Sequence, residues 1–125
     1  MTKKKKFVSA KVCEVGGMTC VVRKTEMGVF TGYVGLPKGH PLFGKGYSEC
    51  GRYIDVHGGL TYADESLPWW KPDGKWWLGF DCAHAGDAIP NLMEGEGLVY
   101  RDEEFAREEV TGLAKQMVRL LTELN

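Results

Sequence analysis

Three short segments of the chain combine histidine, aspartate and glycine in a way that could support chemistry. They read GHP at residues 39–41, DVHGGLTY at residues 55–62 and DCAHAGD at residues 81–87. Each lies where a predicted strand meets a loop, and rigid sheets commonly hold functional side chains at such positions. Together with Trp77 these segments predict one site. Its candidate residues are His40, Asp55, His57, Gly58, Gly59, Thr61, Tyr62, Trp77, Asp81, Cys82, His84 and Asp87.

The favoured chemistry is binding of a nucleotide-like ligand without turnover. Glycine amides at Gly58 and Gly59 can approach phosphate or sugar closely. Aromatic side chains such as Tyr62 and Trp77 can stack on a base, at about 1–3 kcal/mol per base. The aspartates suit ribose hydroxyls or base amines. Further stacking or phosphate-binding candidates elsewhere in the chain are Phe43, Lys45, Arg52 and Trp76.

A catalytic site is the first alternative. Cys82 could be a nucleophile with His57 or His84 as its base, because a thiol needs a neighbour that lowers its pKa. Asp81 or Asp55 would orient that base. No catalytic signature surrounds these residues, so an enzyme is the less favoured class. The reaction would be hydrolysis of a similar ligand.

A metal site is the second alternative. Zinc accepts histidine, cysteine and aspartate ligands, and the four candidates are His57, Cys82, His84 and Asp87. A spacing such as His-x-x-Asp is common by chance, so we expect no cofactor and keep zinc as the alternative.

A structural role is the third alternative. Aspartates such as Asp55 and Asp81 also cap turns by bonding to nearby amides. Trp76 and Trp77 point to opposite faces of a strand, so we expect at least one of them in the core.

Length, charge and cysteine content narrow the class of protein. A chain of 125 residues with 17 glycines is expected to form a single domain with many turns. Its formal net charge of −1 makes nucleic acid an improbable partner. Residues 1–6 form a predicted flexible basic tail, and no apolar run suits a signal peptide or membrane span, which favours the cytoplasm. The four cysteines form no CxxC pair and are predicted to be free thiols.

The elements that must position the site follow from hydrophobic periodicity. Residues 7–100 are predicted to be β-rich, with a hairpin turn at Gly16-Gly17. The predicted strands cover residues 7–15, 19–27, 29–36, 52–56, 60–63 and 75–82. Loops are predicted at residues 37–51 and 64–75, and irregular structure at residues 83–100.

One long helix is predicted over residues 102–124. Asp102 can cap its start, and apolar residues recur at steps of three and four. The predicted fold is therefore α+β: an antiparallel sheet packs this helix on one face, and long glycine-rich loops lie on the other face or at an edge.

A resemblance adds to this interpretation. The motifs GHPLFGKGY, VHGGLTYA and WWLGFDCAHAGD occur in this order before a C-terminal helix. Over residues 28–124 the chain resembles an uncharacterised family of small bacteriophage proteins. The resemblance implies a phage origin and a shared site, which consists of His40, His57, Gly58, Gly59, Thr61, Tyr62, Asp81, Cys82, His84 and Asp87.

By analogy with other small phage proteins, the ligand would be a second messenger of host defence, sequestered in the host bacterial cytoplasm. A further alternative is a protein–protein inhibitor anchored by the two tryptophans in residues 68–72. An exposed sheet edge also favours a homo-oligomer.

Overall fold

The computed structural model describes residues 9–70 and 72–124, which contain an antiparallel sheet and two helices. The sheet order is β1-β2-β3-β5-β4, and all four strand pairs are antiparallel. This confirms the α+β class predicted from the sequence. The elements are β1 Ser9–Val15, β2 Met18–Lys24, β3 Phe30–Leu36, α1 Tyr47–Cys50, β4 Tyr62–Asp64, β5 Trp76–Asp81 and α2 Glu103–Glu123.

The turn at Gly16-Gly17 sets the register of the first hairpin. Both glycines have positive φ, +55° and +86°, as a two-residue type I′ turn requires. Val15 therefore pairs with Met18, and the pairing continues to Ser9 and Lys24. The predicted hairpin is confirmed.

Helix α2 covers one face of the sheet. The Asp102 carboxylate accepts a hydrogen bond of 2.9 Å from the Phe105 amide, so the predicted cap is confirmed. The buried stripe of the helix packs against β2 and β3. It consists of Ala106, Val110, Leu113, Ala114, Met117 and Leu120. Full burial of each larger apolar side chain contributes about 1.5–3 kcal/mol, which makes this face the main core.

An aromatic layer covers the face of the sheet opposite α2. Trp77 is fully buried there with Val21 and Leu67, so the prediction of a core tryptophan is confirmed. Trp70 meets Trp77 edge to face with ring centroids 5.7 Å apart, and Trp69 meets Tyr33 at 5.5 Å. The two tryptophans predicted to anchor a protein–protein contact are therefore half-buried against the sheet.

The strand predicted at residues 52–56 is wrong. Its backbone bonds to side chains of α2 instead of to a strand: the Asp55 amide donates to Gln116 Oε1 at 2.8 Å, and Gln116 Nε2 donates to the Asp55 carbonyl at 2.7 Å. Arg52 and Tyr53 close turns that follow α1.

Other boundaries also differ from the prediction: the strand predicted at residues 19–27 is β2, Met18–Lys24, and the one predicted at residues 75–82 is β5, Trp76–Asp81. The loop predicted at residues 37–51 contains the short helix α1, and the strand predicted at residues 60–63 is β4, Tyr62–Asp64.

Other sequence predictions concern the ends of the chain, its helices and its thiols. The basic tail at residues 1–6 lies outside the described residues. Neither helix between residues 9 and 124, leaving residue 71 aside, has both the length and the apolar character needed to span a bilayer. All four cysteines are free thiols, as predicted, and only Cys13 is exposed.

Candidate functional site

An open cleft of about 460 Å³ lies between the turn after α1 and the first turns of α2. Its volume falls within the range of small-molecule sites, about 300–1,000 Å³. The lining residues are Asp55, Val56, His57, Gly58, Arg101, Phe105 and Glu109. We call this the His57 cleft.

Asp87 is the centre of the hydrogen bonding beneath this cleft. Its side chain is only 1 % exposed. One carboxylate oxygen accepts from His57 Nε2 at 2.8 Å and from the His84 amide at 3.0 Å, and the other accepts from Arg101 Nε at 3.0 Å. One buried carboxylate therefore joins three segments that are distant in sequence.

The Asp87 carboxylate is ionised although it is buried. Burial alone would raise its pKa, but hydrogen bonds from His57, the His84 amide and Arg101 together outweigh burial, and the pKa lies below its ordinary value of 3.8. The negative charge in turn holds the Arg101 guanidinium and the His57 imidazole in place.

His57 is fixed on several sides. Its amide donates to Glu109 Oε1 at 2.9 Å, and its ring meets Phe105 edge to face at 5.0 Å. Because Nε2 lies 2.8 Å from the Asp87 carboxylate, which can only accept, this nitrogen donates to it. The side chain is 18 % exposed, which leaves part of the ring at the cleft.

Gly58 makes room for the second histidine. Its φ is +70°, and a Cβ built there would lie 2.2 Å from His84 Cδ2. The His57 and His84 rings are 5.9 Å apart. His84 Nε2 is buried and lies 3.1 Å from Asp81 Oδ1, without the alignment of a hydrogen bond. A side chain at this position would displace the His84 imidazole, so the packing favours glycine.

The predicted site is partly assembled. Asp55, His57 and Gly58 line the cleft. Asp87 and His84 contact lining residues, and Asp81 lies behind them, 3.1 Å from His84 Nε2. Thr61 Oγ1 donates to Asp81 Oδ2 at 3.3 Å and so joins the same group. The Gly59 amide closes a turn to the Val56 carbonyl at 2.8 Å, where its positive φ is needed.

Three predicted residues lie elsewhere. His40 is buried under α2, where its ring contacts the Met117 carbonyl at 2.8 Å and accepts from the Leu42 amide at 3.0 Å. Trp77 is fully buried on the opposite face of the sheet. Tyr62 faces the same aromatic layer, with its hydroxyl on the Ser66 carbonyl. None of the three lines the His57 cleft.

The structure argues against Cys82 as a nucleophile. The residue is 1 % exposed and belongs to the core beneath α2. Burial, together with the negative charges of Asp87 and Asp81, raises the pKa of its thiol to about 12. Within residues 9–70 and 72–124 no hydrogen bond joins this thiol to His57 or His84. The proposed cysteine–histidine pair is therefore not formed.

The structure also argues against the alternative of a zinc site. Across the described chain no three histidine, cysteine, aspartate or glutamate side chains are placed to share a metal ion. His57 Nε2 and the Asp87 carboxylate are already bound to each other, and the Cys82 thiol is buried in the core. His57, Cys82, His84 and Asp87 thus do not form a ligand set.

Sequence reasoning missed the contribution of Arg101, Phe105 and Glu109. They follow one another at intervals of four residues, which places them on one side of the helix start. The Arg101 guanidinium lies over the Phe105 ring at 4.8 Å. This spacing beside the buried stripe was the signal that could have identified them.

The fold and cleft together define an α+β protein with an open polar cleft beside the start of α2. Comparison with protein-family models, curated proteins and solved structures finds no match for this chain.

Proposed function

We propose that the protein binds a small nucleotide-like ligand in the His57 cleft and holds it without chemical change. The observation that carries this proposal is the Asp87 carboxylate, which fixes His57 and Arg101 at the wall of an open cleft. Side chains that are already ordered lose little entropy when a ligand binds.

The polar groups of the cleft suit different parts of such a ligand. Carboxylates of Asp55 and Glu109 accept hydrogen bonds from ribose hydroxyls or amino groups. The guanidinium of Arg101 supplies the positive charge for a phosphate, and its remaining N–H groups form the donor fork that phosphate prefers. With two carboxylates and one guanidinium in the lining, ligands with many hydroxyl groups and few phosphates are favoured over polyphosphates.

Capture without turnover is favoured over hydrolysis because the thiol of Cys82 is buried and protonated. In the setting that the phage resemblance implies, the ligand is a second messenger of host defence and the protein acts in the host cytoplasm. The edge strand β1 supports pairing with a second copy, since its outer side has no partner within the described sheet.

Mass spectrometry with a nucleotide panel tests this function. The protein is mixed with ADP-ribose, its cyclic isomers, cyclic mononucleotides and cyclic dinucleotides, filtered, and then heated to release whatever it bound. We expect one ligand to leave solution and to return with unchanged mass. A changed mass would indicate an enzyme, and no depletion across the panel would contradict the proposal.

Two matched variants locate the binding. Glu109→Gln removes the charge of a cleft residue, whereas Glu108→Gln removes the same charge from the neighbouring exposed position of α2. We expect only the first to weaken binding, by about fivefold or more, as for loss of a charged hydrogen bond. Equal effects of both variants would place the ligand elsewhere.

A further inference from the structure

A second groove, of about 590 Å³, lies at the opposite end of strand β5. It is lined by Trp76, the first residue of that strand, whereas the His57 cleft adjoins Asp81, the last. The two positions are five residue-to-residue steps apart along the strand, which corresponds to about 17 Å. The groove is therefore a separate feature of the molecule, and we call it the Trp76 groove.

Two aromatic rings form the apolar part of this groove. The Phe43 and Trp76 rings are 6.0 Å apart and tilted by 46°. Trp76 Nε1 donates to the Lys45 carbonyl at 2.9 Å, which fixes the orientation of the indole. Both rings are half-buried, so they are held by the core and still present surface to the groove.

Two lysines line the same groove. The aliphatic part of the Lys75 side chain packs on Gly35, since a Cβ built at Gly35 would lie 2.8 Å from Lys75 Cδ. The Lys75 ammonium lies 3.7 Å from the Asp73 carboxylate. Lys38 is exposed and makes no ion pair within the described chain. Glu65 is the one carboxylate among the described lining residues. Among the lining residues the two ammonium groups outnumber the one carboxylate, and Asp73, which pairs with Lys75, is not a lining residue. Lys38 therefore supplies the positive charge that no ion pair of the described chain offsets.

The mouth of the groove is unobstructed. Gly44 and Gly74 belong to its lining, both have positive φ, and nothing lies within 4 Å of a Cβ built at either position. A planar group could thus enter between the loop carrying Phe43 and the loop carrying Lys75.

We propose that the Trp76 groove binds a planar aromatic anion, with its ring against Trp76 and Phe43 and its anionic group between Lys38 and Lys75. Stacking supplies a surface for any planar ring, and the two ammonium groups supply charge complementarity. This inference does not depend on ligand binding in the His57 cleft.

The test uses 2-naphthyl phosphate, which carries a planar ring and a dianion but no sugar. Titration is followed through the indole N–H signals in ¹H–¹⁵N NMR spectra, and the Trp76→Phe variant identifies the Trp76 signal by its loss. We expect a saturable shift of the Trp76 signal. The neutral analogue 2-naphthol should bind several-fold more weakly, since it lacks the charge.

Charge variants complete the test. Lys38→Gln and Lys75→Gln should each weaken binding of 2-naphthyl phosphate by about twofold to fivefold, as expected for an exposed ion pair. Lys115→Gln, on α2 and outside this groove, is the matched control and should leave the affinity unchanged. Equal binding of 2-naphthol, equal affinity in all three lysine variants, or no shift of the Trp76 signal would each overturn the proposal.

Discussion

Replacement of Asp87 by asparagine tests the central interaction of the site. The side chain keeps its size, but one acceptor oxygen becomes an N–H donor and the charge is lost. Either Arg101 Nε or His57 Nε2 would then face another donor at about 3 Å. The variant therefore removes a charge-assisted hydrogen bond and leaves a cation without its partner.

The expected loss of folding stability in Asp87→Asn follows from how deeply Arg101 and His57 are buried. Breaking a fully buried ion pair costs about 3–5 kcal/mol. The side chains of Arg101 and His57 are 29 % and 18 % exposed, so water offsets part of that cost. We expect Asp87→Asn to lower the free energy of unfolding by about 2–4 kcal/mol, and hence the melting temperature by about 10 °C.

The assay is urea and thermal unfolding at pH 7, followed by circular dichroism. Asp64→Asn is the control, since that aspartate is exposed on β4. The pKa of Asp87 lies below 3.8 in the folded state, so the unfolded state takes up the proton first as pH falls. The stabilisation is complete above pH 4 and is lost on acidification through the folded pKa. The gap between wild type and Asp87→Asn should therefore narrow below about pH 4. A difference under about 0.5 kcal/mol at pH 7 would refute the reasoning.

Three further predictions concern packing, acidity and thiol access. Gly58→Ala should lower the free energy of unfolding by more than about 1 kcal/mol and shift the His84 ring signals in NMR spectra. Gly59→Ala is the control: a Cβ there meets open space, so only the cost of the positive φ, about 1 kcal/mol, should remain. Equal effects of the two variants would contradict the packing argument. Burial lowers the pKa of His40 below 6.5, so the unfolded state binds the extra proton and stability should fall as pH drops below about 6.5. His40→Gln should flatten that slope in urea titrations between pH 7.5 and 5, and an unchanged slope would exclude this residue as its source. Ellman's reagent should titrate one thiol, Cys13, in the native protein and the remaining thiols only in urea; rapid native reaction of several thiols would disagree with their burial.

The sheet and the long helix could be predicted because their signals are local. Gly16-Gly17 between two β-branched runs defines a hairpin through its backbone conformation alone. In α2, Val110, Leu113 and Met117 recur on one side, and Asp102 stands where a cap is needed. These features need no knowledge of distant parts of the chain.

The site could be predicted only in part because its contacts are distant in sequence. Asp87 is buried together with its partners Arg101 and His57, and the sequence around Asp87 does not predict either of them. Residues 52–56 alternate like a strand, but Gln116 binds the backbone of Asp55 and the amides of Arg52 and Tyr53 close turns after α1. Cys82 directly follows β5, and its burial under α2 decides against a reactive thiol.

The Asp87 hydrogen bonds have a consequence for how the molecule opens. They span 30 residues to His57 and 14 to Arg101, so one carboxylate acts as a non-covalent crosslink across two chain loops. We expect segments joined in this way to exchange their amide hydrogens as one cooperative unit in hydrogen-exchange measurements. A ligand that binds Arg101 at the cleft would then slow exchange as far away as the turn at residues 84–87, and the rigidity of an irregular region would come from a single ionised side chain.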